Sequence, residues 1–228
     1  MCDRGVIVHR SMLPPEAVAI WQSGDRPTSV FMASVGGQQL TDAIRQWIDS
    51  HWRVPVEVIT ATERFGRVYN GYKSAAQLGV DRWLAMIAAF QHYGGPACIV
   101  DCGTAMTADI LSVQGRHLGG LIMPGLSMMR RALSENTSAI EEYQSSAPQQ
   151  QEWLADNSRD AVLAGTHYMQ LAVINQFVSD ARLLLNSMPT CIITGGAAAA
   201  IRPGLDNDWQ HDPDLVFQGM RIVAGSLA

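Results

Sequence analysis

Two apolar runs joined by a short polar turn, between residues 97 and 111, predict a β-hairpin in the interior of the protein. The first run, residues 97–100, is suited to a buried strand. Asp101, Cys102 and Gly103 interrupt it where a tight turn is expected. A second strand follows, and its side chains should alternate between two faces: Met106, Ala108 and Ile110 on one, Thr107, Asp109 and Leu111 on the other.

The turn of this hairpin carries residue types that can hold a phosphate group. An acidic side chain can bind a cation, a glycine admits close backbone approach, and a threonine hydroxyl donates a hydrogen bond. The stretch is not a Walker loop, which needs a lysine and a following helix. The simpler interpretation of D-C-G-T is a hairpin turn with no further function. Other parts of the chain must distinguish the two.

The composition favours a globular protein that acts on small molecules. The chain has 228 residues, 47% hydrophobic and 16% charged, enough for one large or two small domains. Its net charge of -5 gives no broad basic field, so we expect neither nucleic acid nor an anionic membrane as a main partner. No segment approaches the roughly 20 apolar residues of a membrane span. Three of the four cysteines lie in or beside apolar runs, which indicates reduced thiols and the cytoplasm.

Strand-like and helix-like segments alternate along the chain, which predicts an α/β protein. Strand-like segments are expected at residues 5–10, 17–21, 29–34, 54–59 and 191–193, with a strand-like turn at 213–217. Helices are expected at residues 40–52, from 81 through 91, from about 127, from 157 or 158 to 185, and at 219–227. The three glutamines at 149–151 indicate an exposed polar linker.

The segment G-V-D-R at residues 79–82 has two interpretations. In the structural one, Asp81 is the N-cap of the following helix and Arg82 is a surface charge. In the functional one, the Asp81 carboxylate accepts a proton from a substrate hydroxyl while Arg82 pairs with a substrate carboxylate. Tyr72 could line the same pocket or be an ordinary half-buried aromatic residue.

Glycines mark two further places where a backbone could approach a ligand. Gly119 and Gly120 stand in an apolar strand before a helix, although generic turn glycines are an alternative. Gly195 and Gly196 follow a strand and precede an alanine-rich helix, a geometry in which backbone amides can meet a nucleotide. Ser158 is first of all a candidate helix cap.

Six short motifs, in order and spacing, resemble type III pantothenate kinase. They are N-G-Y at 70–72, G-V-D-R at 79–82, D-C-G-T-A-M-T-A-D at 101–109, G-G-L-I-M-P-G at 119–125, T-G-G at 194–196 and D-L-V-F-Q-G at 214–219. The resemblance extends from about residue 29 to the end of the chain. It implies an actin-like ATPase fold of two ribonuclease-H-like domains, here residues 1–94 and 95–228, with the first incomplete at its N-terminus.

The same resemblance implies an activity and its partners. The expected reaction is ATP-dependent phosphorylation of pantothenate to 4'-phosphopantothenate, the first step of coenzyme A biosynthesis. ATP would come with a divalent cation (Mg), a monovalent cation (K or NH4) would assist, and the protein would be a cytoplasmic homodimer. Rival interpretations are a regulatory or accessory relative that has lost ATP turnover, and an acyl-group or sugar kinase of the same superfamily.

Carried over by matching motif, the site residues are as follows. Asp81 resembles the proton acceptor, and the residues around pantothenate are Tyr72, Gly79, Val80, Asp81, Arg82 and Ser158. Position 158 is usually threonine in the family pattern, and serine keeps the hydroxyl. Asp101 resembles the monovalent-cation ligand, and the ATP contacts are Gly103, Thr104, Gly195 and Gly196.

The chain departs from the family pattern at its start. The family opens with a strand and a D-x-G-N-[TS] loop that holds the ATP phosphates, whereas this chain begins M-C-D-R-G-V-I-V-H-R. Asp3 and Gly5 do not make that motif. We therefore expect Met1 to be an internal methionine of a protein that begins roughly twenty residues earlier, because a missing first strand would expose a sheet edge.

Overall fold

The computed structural model describes residues 13–138, 140, 154–206 and 208–227. The strand predicted at residues 5–10 and the linker predicted at 149–151 lie outside the described residues. Within the described part, helices and strands alternate, which confirms the α/β class. No helix among these residues combines the length and the apolar character that crossing a lipid bilayer requires.

A helix and a small parallel β-α-β unit open the described chain. They are helix α1 (Pro15–Ser23), strand β1 (Val30–Ala33), helix α2 (Gln38–His51) and strand β2 (Val56–Ile59). The two strands and the helix α2 confirm the predictions for residues 29–59. The strand predicted at residues 17–21 is wrong, because these residues lie in α1. Proline at the start of α1 and Glu16 in its first turn favour a helix, and so short an apolar run does not distinguish helix from strand.

A two-stranded hairpin and a buried helix follow. The hairpin pairs β3 (Arg64–Phe65) with β4 (Val68–Tyr69), and the helix is α3 (Val80–Tyr93). Every residue of α3 from Val80 to Ala89 is buried except Asp81. Such a helix is enclosed by protein on most sides, as expected of one that is apolar nearly all round.

Five strands form the central sheet. They are β5 (Ala97–Cys102), β6 (Ala105–Leu111), β7 (His117–Pro124), β8 (Thr190–Thr194) and β9 (Trp209–His211), in the order β7-β6-β5-β8-β9. The first three are antiparallel neighbours, whereas β8 is parallel to β5 and β9 is parallel to β8. The predicted hairpin is confirmed, although its turn lies at Gly103 and Thr104 rather than at residues 101–103.

Four helices complete this part of the chain: α4 (Leu126–Asn136), α5 (Ser158–Leu185), α6 (Ala198–Ile201) and α7 (Leu215–Leu227). The strand-like turn predicted at 213–217 is wrong, because α7 already begins at Leu215. The start of α7 is closed by Asp212, whose side chain accepts a hydrogen bond from the Asp214 N–H at 3.2 Å. Strand β9 was not predicted, since its three residues carry no strand pattern and are defined by pairing with β8.

The central sheet separates two hydrophobic cores. On one face, α3 and α7 cover a cluster that includes Ile99 and Ile192. On the other face, α5 covers a cluster that includes Val100 and Ile193. Strands β5 and β8 are therefore buried on both faces, which explains why their sequences are continuous apolar runs.

Gly219 sets the distance between α3 and α7, and we expect Gly219→Ala to destabilise the protein. A methyl group there would clash with the Leu84 carbonyl oxygen of α3, so the helices must separate. Overpacking of this kind typically costs about 1–3 kcal/mol of unfolding free energy. Urea unfolding measures the change. Gly225→Ala, in the same helix but with open space around it, should be neutral or slightly stabilising. Equal losses for the two variants would contradict the prediction.

Candidate active site

The end of β5 and the turn after β8 meet at one edge of the central sheet. Asp101 on β5 is paired with Thr194 on β8, and Gly195 follows with a φ of 89°. A side chain at Gly195 would clash with the Asp101 carboxylate and with the Cys102 backbone. Glycine is thus required at this position both for its backbone conformation and for space. The T-G-G turn consequently lies directly against the Asp101 carboxylate.

The predicted cation ligand and the predicted proton acceptor come together here. Burial, and secondarily the negative charge of Asp81, raise the pKa of Asp101 from 3.8 to about 6. Asp81 therefore lies close enough to Asp101 for their charges to interact, although they belong to different elements. Two neighbouring carboxylates at the edge of a sheet form a site that a cation would stabilise.

Asp101→Asn should increase the free energy of unfolding at about pH 7.5, when only a bulky cation such as tetramethylammonium is present. The ionised carboxylate destabilises the folded protein above pH 6, because its pKa is raised to about 6. The destabilisation by the ionised carboxylate decreases as the pH drops through 6 and is absent near the unfolded-state pKa of 3.8. The stabilisation by asparagine should therefore shrink towards about pH 4. Urea unfolding at the two pH values tests this, and an equal gain at both would contradict it.

Asp81 lies in the first turn of α3 but is not its N-cap. Gly79 occupies the capping position, and the Asp81 Oδ1 accepts a hydrogen bond from the Arg82 N–H at 2.8 Å. A side chain at Gly79 would come within 2.6 Å of that same oxygen. The interpretation of Asp81 as the N-cap is therefore wrong, because the N-cap is Gly79, two residues earlier. The Asp81 carboxylate is only half-buried and remains accessible.

Arg82 is buried, so the surface-charge interpretation is wrong. Its Nε and Nη2 donate to the two carboxylate oxygens of Asp109, at 2.9 Å and 2.6 Å. Its Nη1 donates to the Tyr72 hydroxyl at 2.9 Å. Tyr72 is held in turn by its own N–H, which donates to the Asn70 side chain at 2.9 Å. The N-G-Y and G-V-D-R motifs are thus joined through one guanidinium group.

A cavity of about 390 Å³, which we call the hairpin-tip cavity, opens beside the turn between β5 and β6. It is lined by Cys102, Gly103, Thr104, Leu126, Ser127, Arg130, Gly196 and Ala197. The Gly125 N–H donates to the Thr104 carbonyl and the Ala197 N–H donates to the Cys102 carbonyl, both at 3.0 Å. The tip is therefore fastened to the starts of α4 and α6. Three of the four predicted ATP contacts line this cavity, and Gly195 adjoins it.

Arg130 is a lining residue of this cavity that sequence analysis missed. Its side chain is buried, and its Nε donates to the Thr166 hydroxyl at 3.1 Å. Burial lowers the pKa of its guanidinium group. From the sequence alone, the consecutive Arg130 and Arg131 of a polar helix would both be expected on the surface. The available signal was its spacing of four from Leu126, which places both side chains on one helix face.

Ser158 is not brought to the Asp81 side of the sheet. It is the first residue of α5, and α5 packs on the face opposite to α3. Its predicted role as helix cap is wrong, because Asn157 precedes it and accepts the Asp160 N–H at 3.0 Å. Within one chain, the central sheet thus lies between the helix that carries Ser158 and the helix that carries Asp81.

Comparison with known proteins identifies the family. A model of the type III pantothenate kinase family matches residues 10–180. The chain belongs to the type III pantothenate kinase family. A type III pantothenate kinase from Nitrosococcus oceani is 37% identical over 209 residues, which cover 90% of this chain and 78% of that relative. One from Pseudomonas putida is 33% identical over 221 residues, 96% of this chain and 88% of that relative. The family inferred from the six motifs is confirmed, and with it the prediction of a phosphotransferase enzyme.

A solved structure supports the fold. The crystal structure of a Campylobacter jejuni protein described as a Baf family transcriptional activator superimposes with a TM-score of 0.60, covering 92% of this chain and 88% of that one. At 19% identity it bears on the fold alone. Family membership, together with the mixed sheet, confirms the predicted actin-like α/β fold class. The division at residues 94 and 95 stays a prediction.

Proposed function

We propose that this chain transfers the γ-phosphoryl group of ATP to pantothenate, which yields 4'-phosphopantothenate in the first step of coenzyme A biosynthesis. The observation that carries the proposal is that Asp101, which directly precedes the cavity-lining Cys102, lies close enough to Asp81 for their charges to interact. Phosphoryl transfer requires positioning, charge neutralisation and a base on the attacking hydroxyl more than covalent machinery. The chain places residues suited to each of these tasks at one edge of the sheet.

Asp81 is the proposed proton acceptor. Its carboxylate is half-buried and accessible, and only one of its oxygens accepts a described hydrogen bond, from the Arg82 N–H. The other oxygen can accept the proton of the pantothenate hydroxyl as that oxygen attacks phosphorus. The carboxylate lies in the first turn of α3, at the positive end of the helix dipole.

Arg82 and Tyr72 are proposed to bind pantothenate. An arginine has five N–H donors, and within the described residues three of those on Arg82 donate to Asp109 and Tyr72. The remaining donors are proposed to meet the substrate. The Tyr72 hydroxyl accepts from Arg82 and keeps its own proton to donate. Gly79 and Val80 supply backbone at the same helix start. These groups suit a substrate with a carboxylate and several polar oxygens.

The hairpin-tip cavity is the proposed ATP site. Gly103 and Thr104 present backbone and hydroxyl groups to it, and Gly195 and Gly196 supply the opposite turn. The first residues of α4 line the cavity, so the positive end of that helix faces it. Arg130 adds a permanent positive charge. Together these groups would offset the charge of the phosphates.

A monovalent cation, potassium or ammonium, is proposed at Asp101. The site fits a cation because the half-buried Asp101 carboxylate lies against Gly195, close enough to Asp81 for their charges to interact. Such an ion supplies positive charge beside the phosphates. The described residues include no group of three or more side chains that could hold a metal together. The divalent cation, Mg, would therefore be bound mainly by the ATP phosphates.

A homodimer is proposed because Ser158 belongs to a helix on the far face of the sheet from Asp81. If Ser158 contacts pantothenate, a second copy of the chain must contribute it. The cytoplasm is the proposed location, since Cys98, Cys102 and Cys191 are free, buried thiols of the kind that a reducing compartment maintains. Sedimentation of the purified protein tests the dimer directly.

The proposed reaction is tested with purified protein, ATP, magnesium and pantothenate in potassium buffer. Mass spectrometry should detect a product heavier than pantothenate by one phosphoryl group, and its formation should require both substrates. Asp81→Asn serves as the inactive control. Binding of pantothenate is measured separately by calorimetry. The proposal is wrong if the folded protein neither binds pantothenate nor converts it.

A further inference from the structure

A buried ion pair joins four of the sequence motifs at one point. The side chains of Arg82 and Asp109 are only 4% and 3% exposed, and their contact is bidentate. Arg82 comes from G-V-D-R and Asp109 ends D-C-G-T-A-M-T-A-D. Tyr72 of N-G-Y is bonded to the guanidinium group, and strand β7, with its G-G-L-I-M-P-G, lies over the pair.

His117 completes this arrangement. Its Nε2 lies 2.8 Å from the Asp109 Oδ1, and in the tautomer with a proton there it donates a hydrogen bond. Its ring stacks on that of Tyr72, with centroids 5.8 Å apart and planes 16° from parallel. The Asp109 carboxylate thus accepts hydrogen bonds from Arg82 and from His117. We call the four residues Tyr72, Arg82, Asp109 and His117 the Asp109 cluster.

The backbone approaches the Asp109 cluster closely at two glycines. Any side chain at Gly120 of β7 would clash with the Asp109 carboxylate and with the Arg82 Nη2. A side chain at Gly71 would clash with the His117 carbonyl oxygen. The Arg82 guanidinium group and the Asp109 carboxylate are therefore packed directly against the backbone of β7.

A buried ion pair is a poor means of stabilising a fold, because desolvation offsets most of the attraction and an apolar replacement is often as stable. Here the pair holds the side chain that directly follows Asp81 in α3, and through it the Tyr72 hydroxyl. The contacts hold Arg82 and Tyr72 in one pose. Arginine and tyrosine side chains otherwise sample several rotamers, and ordering them during binding costs affinity.

We propose that Asp109 and His117 are positioning residues for pantothenate recognition. They do not touch the substrate. They fix the Arg82 guanidinium group and the Tyr72 ring before the substrate arrives, so that binding does not have to order them. The inference rests on the proposed function, and it adds the residues that make the pantothenate pocket rigid.

The test compares binding of pantothenate and of ATP by calorimetry. Asp109→Asn should weaken pantothenate binding about 10-fold to 100-fold, by analogy with the loss of a partner that orients a metal-binding side chain. ATP affinity should change less than about twofold, because sites that do not share contacts influence each other only to that extent. The matched control is Asp212→Asn. Asp212 is also buried and also accepts from a tyrosine hydroxyl, that of Tyr93 at 3.1 Å, at the other end of α3. This control should leave pantothenate affinity unchanged.

A comparison of two His117 variants tests the positioning role even if Asp109→Asn fails to fold. His117→Gln retains an N–H near the position of Nε2 and should bind pantothenate nearly as well as the wild type. His117→Leu has no donor and should bind it about tenfold more weakly or worse. In a double-mutant cycle, Tyr72→Phe should cost much less affinity in the His117→Leu background than in the wild type, because the ring is no longer held.

Three outcomes would overturn the inference. One is wild-type pantothenate affinity in both folded Asp109→Asn and His117→Leu. Another is an equal loss of pantothenate and ATP affinity, which would mark a general structural role. The third is strict additivity of the Tyr72 and His117 changes. A wild-type protein that does not bind pantothenate at all would overturn the proposed function itself, and this inference with it.

Discussion

Asp81→Asn is expected to lower the turnover of pantothenate by about 100-fold to 10,000-fold, the range that general-base assistance usually contributes. Asparagine has nearly the same shape as aspartate but cannot accept the proton of the attacking hydroxyl. Its Oδ1 can still accept the Arg82 N–H, so the first turn of α3 should keep its hydrogen bond. The loss should therefore appear in kcat, with pantothenate and ATP binding close to those of the wild type. Steady-state kinetics and calorimetry measure the two quantities.

The control for Asp81→Asn is Glu16→Gln, which also removes an acidic charge from the first turn of a helix. Glu16 is exposed in α1. The lost interaction with the helix dipole amounts to about 0.3–1 kcal/mol in such positions, so stability changes slightly. Activity should remain at the wild-type value. If Asp81→Asn retained near wild-type turnover, Asp81 would not be the proton acceptor.

Asp101→Asn is expected to remove the dependence of activity on potassium together with most of the turnover. A cation at Asp101 would lie beside the phosphates, and loss of one such electrostatic contribution typically costs about 100-fold to 1,000-fold in rate. The same variant should be more stable than the wild type without the cation, as argued above from the raised pKa of Asp101. Greater stability with lower activity is typical of residues kept for function.

The measurement is the turnover rate in potassium, ammonium, sodium and tetramethylammonium chloride at one ionic strength. The wild type should be fastest in potassium or ammonium, and Asp101→Asn should be equally slow in all four. Asp49→Asn, at an exposed position in α2, removes one carboxylate that belongs to none of the predicted sites and should keep the wild-type cation response. Equal wild-type rates in sodium and potassium would exclude the cation role and leave the hairpin tip as a simple phosphate-binding turn.

Local patterns in the chain were sufficient for much of the fold. The hairpin at 97–111 follows from two apolar runs and a turn, and strand β8 with its T-G-G turn follows from the same signals. Strands β5 and β8 are buried on both faces, so each is a continuous apolar run that the sequence pattern predicts as a strand. The apolar run at 17–21 is too short to distinguish a strand from a helix. Here the proline and the acidic residue before it favour the helix that the structure shows.

The motif pattern was also sufficient for the family. Asp81 and Asp101 are twenty positions apart, and the resemblance assigns one to the substrate hydroxyl and the other to a monovalent cation. The structure brings their charges close enough to interact, and the two roles stay predictions. Such motifs are informative because phosphate and cation binding need particular backbone turns, and few residue types allow those turns.

Other features depended on contacts between residues distant in sequence, and no local pattern could have given them. Arg82 is buried because Asp109, twenty-seven positions later, meets it across the fold. Arg130 reaches the hairpin-tip cavity only because the start of α4 is fastened to that tip. Ser158 lies behind the sheet because α5 packs on the face opposite to α3. Sequence patterns describe what a segment can form, whereas burial and partners depend on which surfaces the packed elements bring together.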